Sequence, residues 1–455
     1  MTRFSQTIWL AGLIAIVATA APTLAASATD RVTHSFEVAA AGEIAVTIAA
    51  GCGGCDWGAD GREAVGLRLS VDGRYSQHLF LARGETPAEY RVALGALTRG
   101  RHRLAIARDP AVSAAHAGPA TIEVTRVEGL GDRDRVERLA QEMSPILYAR
   151  PNTVGRFTDL PLVMWYEIVP TARGRQFRYS VIFSNEDGGT ATDRLMATWG
   201  RTTDIEFVYG VEVDDSDRIV AEEFQGPGHE VPAYTGRHES HHPLLWVSTD
   251  NNMVSEPGPT TQRYRMTPAR FDLTDQSREA VMDANPWLYA VMGRELAREH
   301  KIADAAPPGH NTIPDPRRFA YVEACAEVGN AALALEIGVR RAGGPSAPDG
   351  EGALDWIASD RGLRQYRIVR DGCVRIATPL PAGSSARDVR ALRVRAFERP
   401  PAEGAARVEP TPVRLRRINS LFLLDDRYEP QASLLTWQGT ATIAAGGAPF
   451  ELPIR

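Results

Sequence analysis

Asp204 and Glu206 stand two residues apart in "TTDIEFVYGVEV". In an extended strand such residues point the same way, with Cα atoms about 7 Å apart, so the two carboxylates share a face. A pair at this separation is suited to hold a divalent cation, or to divide acid and base work as in glycoside-cleaving sites. A solvated strand face would carry the same letters, because alternation requires polar residues there. Further along, "TGRHESHHPLLWVSTDNNM" gathers Arg237, His238, His241 and His242 before an apolar run, and Asp250, Asn251 and Asn252 after it. His229 lies slightly upstream in "QGPGHEV". Imidazoles beside carboxylates suit zinc, manganese or iron better than calcium. If a loop brings these groups together, Asp204, Glu206, His238 and His242 are the expected cation ligands. Asp204, Glu206, His241 and Asn251 are then the expected reacting groups.

The elements that must position them are strands. From Gln176 the alternation is clean, with Phe177, Tyr179, Val181 and Phe183 on one face of a strand ending in "SNEDGGTATD". That oxygen-rich end supplies Asn185, Glu186, Asp187 and Asp193, and Asn185 and Asp187 are expected to contact a ligand together with Arg237, Asp250 and Asn252. Its spacing is not that of an EF-hand, and a tight hairpin turn would use the same residues. The next strand places Ile205, Phe207, Tyr209, Val211 and Val213 on its buried face, which turns Asp204 and Glu206 outward. "PLLWVST" is apolar almost throughout, as a central strand covered on both sides would be. Polar residues directly after a buried strand are where β scaffolds place binding groups, and also where an ordinary turn falls. Helical periodicity is best in "SREAVMDANPWLYAVMGRELAREH", with a restart at Asn285-Pro286 and a packing stripe of Leu288, Val291, Met292 and Leu296.

The pieces "SPILYARP", "YSVIFSNEDGG", "WGRTTDIEFVYGVEVD" and "HPLLWVSTDNNM", spread over residues 144–253, are similar to the vacuolar-sorting-related proteins and the necrosis-inducing cytolysins. In the cytolysins a Gly-His-x-His-Asp-x-Glu stretch opens a strand and binds a divalent cation. Here the stretch reads Gly200-Arg201-Thr202-Thr203-Asp204-Ile205-Glu206, so the Asp and Glu are kept and both histidines are replaced. The resemblance thus implies a cation site only if His241 or His242 replaces the lost imidazoles from another strand.

Upstream, residues 29–128 carry seven short alternating runs separated by turns, with Asp72-Gly73 as the strongest hairpin signal. This reads as a β-sandwich module, and "YRVALGALTRGRHRLAI" resembles the strand-turn-strand ending of jelly-roll accessory modules. Residues 129–300 read as a central β-rich domain with helices. Residues 301–455, beyond Pro- and Gly-rich connections, read as a C-terminal β-rich region that either stands alone or completes the central domain. The fold class expected is mainly β: an N-terminal sandwich followed by a larger β-rich region with a few inserted helices.

Residues 1–28 have the form of a secretory signal peptide, with Arg3, an apolar core and small residues allowing cleavage after Ala25 or Ala28. The expected location is therefore secreted or periplasmic, with no transmembrane segment once the signal is removed. A net charge of -6 without long blocks of one sign implies neither nucleic acid nor an anionic membrane as partner. Cys52 and Cys55 lie in "GCGGC" followed by a loop, and Cys325 and Cys373 stand apart; in an oxidising compartment both pairs are expected as structural disulfides. Of 51 basic residues only Lys301 is a lysine, and "LAREHKIAD" reads as a solvated helix end, which gives Schiff-base and P-loop chemistry little support. Two functions remain. One is an exported hydrolase or lyase acting on an extracellular polymer such as a glycan. The other is a non-catalytic surface protein that binds a glycan or an envelope component.

Overall fold

A computed structural model describes residues 30–454 except 132, 152–156, 158, 187–188, 341–352 and 400–407. The expected signal segment 1–28 and the ligand candidate Asp187 therefore lie outside the described residues. The fold is mainly β, built from antiparallel sheets with few helices.

The N-terminal strands form two sheets. Arg31–Val38, Gly100–Arg108, Gly66–Val71 and Arg74–Phe80 make one, in that order; Ala88–Leu97, Gly42–Cys52 and Ala120–Gly129 make the other. All seven alternating runs are strands. Asp72 and Gly73 both take positive φ, 50° and 79°, as a two-residue type I′ hairpin turn demands. Leu67, Leu69, Leu104 and Ile106 from one sheet meet Val46 and Ile48 from the other in a core without solvent exposure. Cys52 and Cys55 are bonded at the end of the inner strand, with Cα atoms 5.5 Å apart.

The central sheet runs Ile219–Glu223, Asp204–Asp214, Gly174–Phe183, Pro161–Thr171 and Ala269–Arg270. Its register corrects the expected placement of Asp204 and Glu206. Tyr179 pairs with Tyr209 but Ser180 pairs with Phe207, so Val208 is an extra residue in its strand. A one-residue bulge reverses which side chains point to which face. Phe183 is opposite Asp204 and Val181 opposite Glu206, so both carboxylates share the face of Tyr179, Tyr209 and Val211. That face packs on the core continuous with the N-terminal sandwich, whereas Ile205 joins Ile182, Met282 and Leu288 on the other. The carboxylates are buried, not outward.

A smaller sheet covers this face. His242–Val247 is buried throughout, as its apolar sequence requires, and pairs in parallel with Ile146–Tyr148. The short helix Arg135–Glu142 precedes it, capped by the Asp134 carboxylate on the amides of Val136 and Glu137. The expected helix restart occurs: Ala280–Asp283 ends before Trp287–Arg298 begins. The Asn285 side chain does not cap the second helix. Its amide donates to the Val281 carbonyl at 2.9 Å, and Pro286 occupies the cap position. Leu288, Val291, Met292 and Leu296 are buried against the sheet. One helix had no expectation, Thr192–Trp199, which closes on Gly200 in the left-handed region, φ 62°. A side chain at Gly200 would also collide with Arg375.

Residues 319–454 form a second sandwich. One sheet is Gly372–Pro379, Phe319–Glu327, Val413–Phe422 and Trp437–Ile443; the other is Leu354–Ala358, Ala331–Arg340, Val389–Glu398 and Phe450–Pro453. Val322, Leu333, Ile376 and Leu392 lie in its separate core. Cys325 and Cys373, directly opposite on adjacent strands, form the second disulfide. It docks on the central region through fully buried Arg375. The Arg375 guanidinium bonds Asp283, Glu323 at 2.7 Å and the Tyr289 hydroxyl at 2.8 Å.

Candidate functional site

Asp204 begins its strand directly after the loop that Gly200 releases from helix Thr192–Trp199. Its side chain is 1 % exposed and accepts a hydrogen bond from Asn252 Nδ2 at 2.9 Å. The same amide donates to the Asn185 carbonyl at 3.1 Å, so Asn252 joins the ends of three elements. Asn252 adopts φ 53°, a left-handed conformation that Asn tolerates better than most residues, and its side chain is thereby turned inward from the Thr249–Asn252 turn. Its Oδ1 is buried and has no hydrogen-bond partner among the described residues. Buried amide oxygens normally have one, and a bound water or ligand group is the usual supplier.

Glu206 is 8 % exposed and accepts a hydrogen bond from Gln225 Nε2. The edge strand Ile219–Glu223 pairs with Gly210–Val213 only, so Gln225 reaches Glu206 from where that strand has left the sheet. Burial pushes the Asp204 carboxyl well above the ordinary range, and the charges of Glu206 and Glu186 push it further. Arg201, 3.9 Å from Asp204, and the Asn252 hydrogen bond oppose this without reversing it. Glu206 is also raised, chiefly by burial, against the attraction of Arg278, the Gln225 bond, Arg201 and His229. Arg201 is committed elsewhere: its Nε donates to Glu279 at 3.0 Å. Burial alone would raise Glu279, but Arg201, Arg278 and Arg375 together hold it below its usual range.

The histidines do not join this pair. His238 bonds Glu222 at 2.7 Å, and Glu222 is opposite Val211, seven residues along the strand from Asp204. At the strand rise this is about 20 Å away. His242 starts the strand whose far end leads to Asn252, about 16 Å off on the same measure. Its Nδ1 donates to the Ser144 carbonyl at 2.8 Å and its Nε2 faces Glu43 at 3.4 Å. His241 is exposed beside Glu142. No loop gathers them at the carboxylate pair; the strand His242–Val247 sets them at the opposite end. The expected ligand set Asp204, Glu206, His238 and His242 is therefore not assembled, and neither is the reacting set that included His241. Among the described residues no group of three or more His, Cys, Asp and Glu is arranged to hold a metal ion. His229, exposed and at φ 63°, is close enough for its charge to act on Glu206.

The other candidates divide in the same way. Asn185 is buried and donates to Glu299 Oε1 at 3.0 Å, in the site. Asn251 is half-buried in the turn before Asn252. Asp250 accepts from Arg150 at 2.7 Å, and the same arginine holds the Thr249 carbonyl at 2.9 Å and pairs with Asp159 at 3.0 Å. Asp250 thus shapes the turn. Arg237 is exposed at the distant histidine end.

Beside the Asp204–Asn252 cluster lies a cavity of about 330 Å³, lined by Asn185, Glu186, Thr202, Glu299, Lys301 and Asn311 among others. The Glu186 backbone N–H donates to the Thr202 carbonyl at 3.1 Å, and Lys301 Nζ pairs with Glu299 at 2.6 Å. The lone lysine, expected at a solvated helix end, is half-buried in this wall. Sequence reasoning missed Thr202, Gln225, Glu299 and Lys301 as site residues. No local pattern marked them, since the helix that Gly200 ends was itself not expected from the sequence.

No family model matches the chain, and no curated protein matches it. Among solved structures, one described as NLPPya in complex with mannosamine is similar over 34% of this chain and 81% of its own, at 14% identity and TM-score 0.24. A GH2 beta-galacturonidase from Eisenbergiella tayi bound to galacturonate is similar over 36% of this chain and 23% of its own, at 13% identity and TM-score 0.14. Both are partial likenesses between β folds. The resemblance of residues 144–253 accordingly remains a resemblance and assigns no family.

Proposed function

We propose that this chain is an exported, non-catalytic glycan-binding protein made of three modules, 29–128, 129–300 and 301–455, with its ligand site in the cavity beside Asp204. The lining of that cavity carries the reading. Hydroxyls from threonines, amides from Asn185 and Asn311, two carboxylates and one ammonium present many donors and acceptors in a space at the lower end of ligand-pocket volumes, about 300–1,000 Å³. One sugar residue would offer such a wall matching hydroxyl donors and acceptors, whereas an apolar ligand would take its polar groups from water and return no hydrogen bond. Asn252, itself bonded to Asp204, donates to the Asn185 carbonyl behind the cavity. A hydrolase or lyase is supported less well, because Asp204 is 1 % exposed and the imidazoles stand at the far end of the sheet. Two disulfides fit an oxidising compartment, and among the described residues no helix is long and apolar enough to cross a membrane.

A glycan array probed with the mature protein, followed by the Glu186→Gln and Thr202→Val variants, tests this. Binding that weakens in both variants, without release of reducing ends from any bound glycan, is expected. Turnover of a bound glycan, or array binding that both variants leave unchanged, would overturn the proposal.

A further inference from the structure

A second cavity, about 320 Å³, lies where the N-terminal sandwich meets the central sheet and the start of helix Trp287–Arg298. Its chemistry is the opposite of the first. Phe80, Val92, Met164 and Tyr264 form its buried side, and Leu162, Val163 and Met266 are half-buried along it. The polar groups that border it are largely satisfied within the protein. Gln77 donates to the Ala93 carbonyl and accepts from Arg265 N, Thr267 donates to the Arg91 carbonyl, and Arg91 is paired with Glu128 at 2.7 Å. A sugar entering here would find few partners for its hydroxyls.

The exposed residues of the lining are Arg83, Glu89 and Ala269. Arg83 donates to the Glu89 carbonyl at 3.2 Å and lies over the Trp287 ring, 5.2 Å from its centroid. Among the described residues it takes part in no ion pair. A largely apolar interior of aromatic and aliphatic side chains with a cation at the entrance is complementary to an amphiphile with one anionic head and one hydrocarbon chain.

We propose that this inter-module cavity binds a single-chain carboxylate amphiphile, its head at Arg83 and its chain against Met164, Val163 and Met266. The Glu89 carboxylate, on the same rim, opposes the head and keeps the affinity moderate. The site is independent of the glycan reading, since no residue lines both cavities.

Isothermal titration of the full mature protein with hexanoate, octanoate and decanoate below their micelle concentrations tests it. One saturable site per chain is expected, tightening about fourfold per added methylene until the cavity is full. Arg83→Gln should weaken octanoate about fivefold and leave octanol unchanged, while Glu89→Gln should strengthen octanoate. Should Arg83→Gln fail to fold, the chain-length series and the octanol comparison on the wild type still decide. Affinity independent of chain length, equal affinity for octanol and octanoate, several weak sites, or a neutral sugar competing for the cavity would overturn the proposal.

Discussion

Replacing Asp204 by Asn should stabilise the protein at neutral pH, although Asp204 is one of its most buried polar groups. Asn is isosteric and its Oδ1 can still accept from Asn252 Nδ2, so the 2.9 Å hydrogen bond survives. What disappears is a charge that burial, Glu206 and Glu186 all disfavour. A carboxyl raised in the folded state retains a proton that the unfolded chain releases, so the native state binds more protons over that interval. Stability therefore falls as pH climbs from the unfolded value, about 3.9, through the raised folded value, by about 1.4 kcal/mol for each unit between them. Asp204→Asn removes that slope. Urea denaturation from pH 4 to pH 8 should show wild type declining and the Asn variant flatter, with the two closest at pH 4 and the variant already more stable at pH 5 and above. Asp204→Leu separates charge from hydrogen bonding: it leaves one Asn252 hydrogen unpaired in a site without solvent, at a cost of about 1–3 kcal/mol at every pH. An Asn variant destabilised by more than about 2 kcal/mol at pH 7 would refute the reasoning. It would mean that the carboxylate is ionised in the native state and stabilised by a positive charge stronger than Arg201.

Three further outcomes follow from the same structure. Replacing Cys325 and Cys373 together by Ser opens a loop with sequence separation 48 and should cost about 4 kcal/mol on the chain-entropy account, against about 2 kcal/mol for the short Cys52–Cys55 loop, both read from urea midpoints. Arg375→Met should cost about 3–5 kcal/mol, because it leaves Glu323 charged and buried between the sandwich and the helices; adding Glu323→Gln should recover part of the loss. Expressed with residues 1–28 in a bacterial host, the chain should be recovered outside the cytoplasm with a mature N-terminus at Ala26 or Thr29 by N-terminal sequencing, whereas protein retained in the cytoplasm with Met1 intact would contradict export.

The strands were legible because their period is simple and their turns are chemically marked, as at Asp72-Gly73. The disulfide pairing was legible from the even count and from Cys52 and Cys55 standing together, apart from Cys325 and Cys373. The site was only half legible. Asp204 and Glu206 were identified as a pair, but the extra Val208 reverses the facing of everything beyond it, and a bulge of this kind leaves no mark in a run of apolar residues. The histidines misled for a related reason. Sequence proximity to "STDNNM" suggested one cluster, yet a strand of six residues, His242–Val247, separates the two by its own length. Thr202, Glu299 and Lys301 were invisible because their meeting depends on helix Trp287–Arg298 crossing the sheet, which no local pattern encodes.

Lys301 gives the central claim its most direct test, because it is the chain's single lysine and it lines the polar cavity. Acetylation of its amine by a small anhydride can be followed by mass spectrometry in the presence of glucose, galactose, mannose and their N-acetylated forms, or of any glycan that the protein retains. Glycan binding in this cavity predicts that the bound sugar slows Lys301 acetylation several-fold while the α-amino group reacts at its usual rate. Unchanged Lys301 acetylation at saturating bound glycan would place the glycan elsewhere and contradict the account.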